Sequence, residues 1–267
     1  MTDGKPSQEL SVESILSRAF NLFGSKFLQF FVPFLISGII LGTCAYVLNS
    51  YFPIPEPPEM PTTPDPTFVY EVLGPWIISL ISTMVVLIGV SGSLSWIMNS
   101  IVYGIATKTT SDQIETGTST LGTSFNYTLS KLPTLLAAQF IAGILIAAGL
   151  LLFIVPGIII AIMFSLIVPA VVVEEKGVFE SLGRSRQLVH QRWGNTFVIM
   201  LVCGLIVSAP LGIINVASSV LGVANPAVTM VVGYVFTAFF GSILPIALTY
   251  LYYSMVARET SPPPPIY

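Results

Sequence analysis

The chain has 267 residues, 54% of them hydrophobic and only 9% charged, with a formal net charge of −3 at neutral pH. Soluble domains carry about a quarter charged residues, so a chain this poor in charge cannot cover a globular surface with polar groups, and most of its surface must face lipid. The weak negative balance and the lack of a clustered basic patch argue against a nucleic-acid partner, and Cys44 and Cys203, both in apolar runs with no CxxC or His/Cys cluster, argue against a disulfide framework or zinc site.

Residues 1–10 are polar and read as a disordered N-terminus. Ser11 is placed to cap a helix, with Glu13 in its first turn. Val12, Ile15, Leu16, Ala19, Phe20 and Phe23 then fall on one helical face, which predicts an amphipathic helix lying in the membrane interface. A first span runs from Phe27 to Leu48; it is too long for the apolar region of a cleavable signal. The stretch 50–72 has seven prolines between Pro53 and Pro66 and no basic residue, so it reads as an extended external loop, a spacer or a docking surface. The second span is Trp76 to Ile105. A polar cytoplasmic loop, 106–131, ends in a short amphipathic segment carrying Leu121, Phe125, Leu129 and Leu132.

From Leu132 to Val173 the chain holds no charge. That is enough to cross a bilayer twice, with Pro156 and Gly157 read as the turn between spans Leu132–Ile154 and Gly157–Val173. A second cytoplasmic loop, 174–194, is polar and helix-prone. Spans Asn195–Val220 and Ala227–Val256 follow, and 257–267 is a proline-rich tail. Residues 11–256 thus read as one membrane domain of six transmembrane helices. With that count all ten basic residues, Lys5, Arg18, Lys26, Lys108, Lys131, Lys176, Arg184, Arg186, Arg192 and Arg258, fall on the side of the N-terminus. Glu56, Glu59, Asp65 and Glu71 occupy the other side. The positive-inside rule then puts both termini in the cytoplasm of a multi-pass cell-membrane protein.

Lys26, Lys131 and Arg192 each precede a glycine by twelve residues: Gly38, Gly143 and Gly204. The basic residue reads as an interface anchor that snorkels to headgroups, and the glycine as a point of close helix packing. The all-α fold is therefore expected to be three parallel repeats, each an amphipathic cytoplasmic helix followed by a hairpin of two spans.

The segment LLFIVPGIIIAIMFSLIVPAVVVEEKGVFESLGRSRQLVHQRW carries a resemblance. Val155-Pro156-Gly157, Pro169-Ala170-Val171, Glu174 or Glu175, Ser181-Leu182, Arg184-Ser185 and Leu188-Val189 form a pattern similar to the membrane domain found beside some glycerophosphodiester phosphodiesterases and to related uncharacterised multi-span families. The resemblance covers roughly residues 118–210. It implies a membrane fold and carries no chemistry, because the soluble phosphodiesterase barrel and its His/Glu/Asp constellation have no counterpart in this sequence.

No cluster of residues suits catalysis, cofactor binding or metal ligation. His190 stands alone on the second cytoplasmic segment and reads as structural. Glu174, Glu175, Arg184 and Arg186 are placed to pair across that loop, or to form a solvated charged face. Ser91, Ser95 and Asn99, four residues apart, form one polar stripe within the second span, which either packs against another helix or lines a path. Pro264, Pro265 and Tyr267 fit the PPxY pattern read by WW-type modules. Two functions follow. One is a non-enzymatic scaffold or accessory subunit packing with membrane lipids or other membrane proteins. The other is a channel or transporter for a small or lipid-like solute; it would show as a cavity lined by Ser91, Ser95 and Asn99.

Overall fold

Ser11 does open the first helix: its hydroxyl accepts a hydrogen bond from the Ser14 N–H at 3.2 Å, starting α1 (Val12–Ser25). The computed structural model describes residues 5–6, 8–61, 66–190, 192–220 and 226–260, and every regular element among them is helical. The chain turns at Lys26 into α2 (Phe27–Tyr51), passes through the proline-rich stretch, and resumes in a short π-helix over Val69–Leu73. Helix therefore begins inside the 50–72 segment, ahead of the second span.

α3 (Gly74–Thr116) has 43 residues. At about 1.5 Å per residue that is roughly 65 Å, twice the thickness of a hydrocarbon core. Residues 106–116, read from the sequence as loop, form its C-terminal end. Their composition is polar, but the polarity is Thr and Ser, which bury readily when they can bond a carbonyl. Thr110 donates to the Ala106 carbonyl at 2.7 Å and Thr109 to the Ser124 hydroxyl at 3.0 Å, both buried. α3 stops at Gly117, whose φ of 71° is a left-handed conformation that suits a residue without Cβ. After a short turn α4 (Leu121–Leu152) starts at the Thr120 cap and runs without a break past Lys131. The amphipathic segment before the third span is thus continuous with that span.

The hairpin after α4 turns earlier than its proline suggests. Phe153 takes an extended conformation (φ −159°, ψ 149°) and α5 (Ile154–Met163) begins at once. Pro156 sits in the first turn of α5, where its missing N–H has no helical partner to lose. Gly157 faces α4: a Cβ added at Gly149 would stand 3.0 Å from the Gly157 Cα, and one at Gly157 would strike Leu150. The two helices meet over bare backbone.

Span four is broken. α5 ends at Met163 and α6 (Ile167–Val173) begins after a three-residue gap. Buried backbone without partners costs several kcal/mol in a membrane, and the break is closed by α7 (Val178–His190). The fully buried Ser185 hydroxyl donates to the Met163 carbonyl at 2.7 Å and accepts from the Leu166 N–H at 3.1 Å. α7 bends by 102° into α8 (Trp193–Val220), and α9 (Pro226–Phe240) and α10 (Ile243–Thr260) complete the chain.

Five helical stretches are long and apolar enough to cross a membrane, and a sixth qualifies when α7 and α8 are taken together across their bend. The chain is an all-α, multi-pass membrane protein. Its core lies toward the basic end, where α1, the C-terminal end of α3, α6, α7 and α10 bury Ile15, Phe23, Ile114, Val171, Val189, Tyr250, Tyr252 and Tyr253. The N-terminal residues are part of that end. The Leu10 N–H donates to the Ser254 hydroxyl at 2.8 Å, Lys5 lies over the Tyr253 ring, and Glu9 pairs with Arg192.

Ser185→Ala removes both partners of the span-four break and leaves a buried N–H and a buried carbonyl unsatisfied. The expected loss is about 1–3 kcal/mol of stability, read as a lowered thermal midpoint in detergent. An unchanged midpoint would mean that the break closes without α7.

Candidate functional site

Toward the middle of the molecule the helices do not fill the space between them. A cavity of about 330 Å³ is lined by α2 (Phe34, Ser37, Gly38, Leu41), α3 (Asn99, Val102, Tyr103), α8 (Cys203, Gly204, Val207, Ser208) and α9 (Tyr234, Thr237), with Gly241 and Leu244 at the α9–α10 junction. α2 and α9 approach closely at its edge. Tyr234 lies on the Gly38–Gly42 face of α2, so closely that a Cβ on Gly42 would sit 2.7 Å from it. The lining holds no Asp, Glu, Lys, Arg or His. A second, more open groove of about 570 Å³ runs along the seam of α2 and α3 to the start of α4, walled by Val32, Pro33, Ile36, Ile40, Met98, Ile101, Ile105 and Phe125 among others. Ser37 and Val102 wall both spaces.

Charge gathers at the basic end instead. Arg184 of α7 donates from Nε to both Glu174 oxygens at 3.1 Å and from Nη2 to Oε1 at 2.9 Å, while its Nη1 pairs with Glu259 of α10 at 2.9 Å. The Tyr252 hydroxyl is buried beside this pair without a well-formed hydrogen bond. Partial burial pushes the Glu174 carboxyl up, but Arg184, helped by Lys176, outweighs it and leaves the group below the usual carboxylate range. For Arg184 burial pulls down, and the bonds to Glu174 and Glu259 push it higher still. Glu175 takes a φ of 53°, a left-handed conformation costing about 1–3 kcal/mol outside glycine. It is held there by Lys131 at 2.9 Å and by the Tyr127 hydroxyl, which donates to it at 3.1 Å; Lys131 is the chief reason its carboxyl is also lowered.

The residues singled out from sequence fall in several places. Asn99 lines the cavity, whereas the Ser91 hydroxyl turns back onto the Leu87 carbonyl, and neither it nor Ser95 reaches the cavity wall. Gly38 packs under Tyr234, Gly204 lines the cavity, and a side chain at Gly143 would meet nothing within 4 Å. Glu174 and Arg184 meet, Glu175 goes to Lys131, and Arg186 is exposed and makes no ion pair among the described residues. Lys26 stands at the α1–α2 junction, Lys131 inside α4, and Arg192 between α7 and α8, paired with Glu9. The PPxY tail lies outside the described residues. Sequence reading missed Ser37, Tyr103, Ser208, Tyr234 and Thr237; five polar side chains on four helices share no spacing. No group of three or more metal-ligating side chains occurs among the described residues.

Fold and site together define a multi-pass helical membrane protein with an uncharged internal cavity. A family model described as Domain of unknown function (DUF7847) matches residues 66–255, and the chain belongs to that family. It is also 38% identical over 122 residues to a UPF0259 membrane protein of Serratia proteamaculans (strain 568), a match covering 46% of each chain. The chain thus spans about half the length of that curated relative. No solved structure matches. Both similarities are to uncharacterised membrane proteins, and neither supports the expected link to glycerophosphodiester phosphodiesterases.

The lowered carboxyl of Glu174 sets the sign of a pH effect. Its contribution is fully present above the unfolded value of about 4.3 and is lost as pH falls through the lower folded value. Thermal stability in detergent should therefore drop on acidification below about pH 4, and Glu174→Gln should be less stable at pH 7 with a shallower acid limb. An identical acid limb in the variant would remove Glu174 from the account.

Proposed function

We propose that this protein is a non-enzymatic membrane protein that takes a small or lipid-like solute into the space between its spans, as a channel or carrier does. The observation that carries this reading is the cavity: a void of about 330 Å³ lined by Ser37, Asn99, Tyr103, Ser208, Tyr234 and Thr237 lies within the size range of ligand sites. The adjoining apolar groove supports the lipid-like end of that range. No charged residue lines either space, which argues against ion coupling and proton relay and fits a role without catalysis.

A second reading, scaffold or accessory subunit, draws on a different observation. The most apolar window of the helical stretch Val69–Thr116 buries nothing inside the molecule, so a neighbouring membrane protein or lipid must cover it. The same proposal has six crossings in a cell membrane, both termini cytoplasmic, three parallel units anchored by Lys26, Lys131 and Arg192, and a tail open to a WW-type module. The charge asymmetry supports it, as do the helix breaks beside Lys26 and Arg192.

The solute reading is tested by native mass spectrometry of the chain released from mild detergent. An amphiphile-sized adduct is expected, and Thr237→Trp, which fills the cavity, should lose it. Bare protein in both would overturn the reading, and a stoichiometric protein partner in place of the adduct would favour the accessory role. Topology is read by cysteine labelling in a Cys44→Ala, Cys203→Ala background. Glu59→Cys should react with an impermeant maleimide in intact cells and Arg186→Cys only after permeabilisation; the reverse pattern would invert the orientation.

A further inference from the structure

The polar side chains of the cavity are left open to it. Many Ser and Thr on the spans turn their hydroxyls back onto the carbonyl one turn earlier: Ser100 to Trp96 at 2.8 Å, Thr128 to Ser124 at 2.8 Å, Thr196 to Arg192 at 3.0 Å, Thr249 to Pro245 at 2.7 Å, although Thr107, Ser165 and Ser242 are buried without a partner. Turning back in this way is how a hydroxyl is usually accommodated where water is scarce. The cavity residues do not do it. Ser37, Ser208 and Thr237, the Asn99 amide and the Tyr103 and Tyr234 hydroxyls make no side-chain hydrogen bond among the described residues. They come from four helices and converge on one void. Ser37 is 7% exposed and still unpartnered. Asn99 and Ser208 are exposed at its margin, whereas Ser37 is buried and Tyr103, Tyr234 and Thr237 are half-buried; polar groups left unmatched inside a membrane are costly, so an occupant with both donors and acceptors suits the space.

The charge of that occupant is constrained by the walls. All ten basic residues lie outside the lining, and so does every carboxylate among the described residues. A phosphate or ammonium head carried there would lose its hydration with no counter-charge to replace it. Hydroxyl, ester or amide oxygens lose little, because the six side chains can donate to and accept from them. The tail has a place as well. The groove on the other side of the α2–α3 seam is almost wholly apolar, and Ser37 and Val102 line both spaces.

We infer that the cavity holds the head of a neutral amphiphile, an uncharged group rich in hydroxyl and carbonyl oxygens, with its apolar chain laid across the Ser37–Val102 seam into the groove. This rests on the solute reading above and narrows it to one chemical class.

The test uses the full chain in phosphatidylcholine nanodiscs and two radiolabelled probes with the same chain. One is 1-oleoylglycerol; the other is 1-oleoyl-lysophosphatidic acid, which adds a phosphate to the same head. The neutral probe should bind at least about tenfold more tightly. Asn99→Leu with Thr237→Val should weaken it by about tenfold, two neutral hydrogen bonds lost. Ser91→Ala, whose hydroxyl faces its own helix, should leave it unchanged, and the thermal midpoint of the double variant reports on its folding. Equal binding of the two probes would overturn the neutral-head inference while leaving a lipid-like solute in place. Neutral preference that survives Asn99→Leu with Thr237→Val would overturn its placement in this cavity. No binding of either probe would mean that water alone fills the void, and both readings fall together.

Discussion

The structure depends on what Arg184 holds together. Its guanidinium reaches Glu174 at the end of α6 and Glu259 at the end of α10, from a position in the middle of α7. An isolated exposed ion pair contributes little, but this one is bidentate on one side, partly buried, and ties α7 to its neighbour α6 and to the sequence-distant α10. It fixes α7 against the broken span, and Ser185, the next residue, then reaches the gap at Met163 and Leu166. If α7 lay free in the interface, as its amphipathic pattern alone suggests, the break in span four would be an open wound in the backbone. The ion network is therefore a condition for an irregular span.

The same end of the molecule shows how a membrane bundle finds cohesion when burying apolar surface gains little against lipid. The core there is threaded with Ser, Thr and Tyr. Ser111 and Glu115 of α3 reach the Tyr253 hydroxyl of α10 at 2.8 and 2.7 Å, and Thr109 bonds Ser124 of α4. Toward the opposite end Ile77, Ile78, Ile81, Val85 and Ile88 of α3 are exposed. One end is stitched by hydrogen bonds and the other is left to lipid or a partner, a division that follows where the polar residues fall along each helix.

That division explains what was legible in the sequence. Uncharged runs show where helices can cross, because charge in a bilayer is expensive and its absence is easy to see. The Ser11 cap and the Ile15–Ala19–Phe23 face show α1, because both signals are local. The 106–116 segment was not legible as helix, because Lys108, Asp112 and Glu115 mark it as polar while Tyr253 and Ser124, the groups that let it bury, lie on other helices. The turn at Phe153 was masked by the more conspicuous Pro156-Gly157, whose glycine serves contact with Gly149. The cavity was legible at Asn99 and at Gly38 and Gly204, which the sequence marks for packing rather than for a void. Ser37, Tyr103, Tyr234 and Thr237 look like ordinary span residues until α2, α3 and α9 are brought together.

The placement of charge and the neutrality of the cavity are two sides of one arrangement. Arg184, Lys131 and Arg192 are committed to carboxylates at the basic end, and Glu174, Glu175 and Glu9 to them in return. Glu175 even holds a left-handed backbone to keep its partner. Charges matched in this way are poor ligands for anything else, and the middle of the bundle is left to hydroxyls and one amide. Tyr234 of α9 rests on Gly38 and Gly42 of α2 beside them. The chemistry of the void is neutral because the charges that could alter it gather at the basic end, most of them paired there.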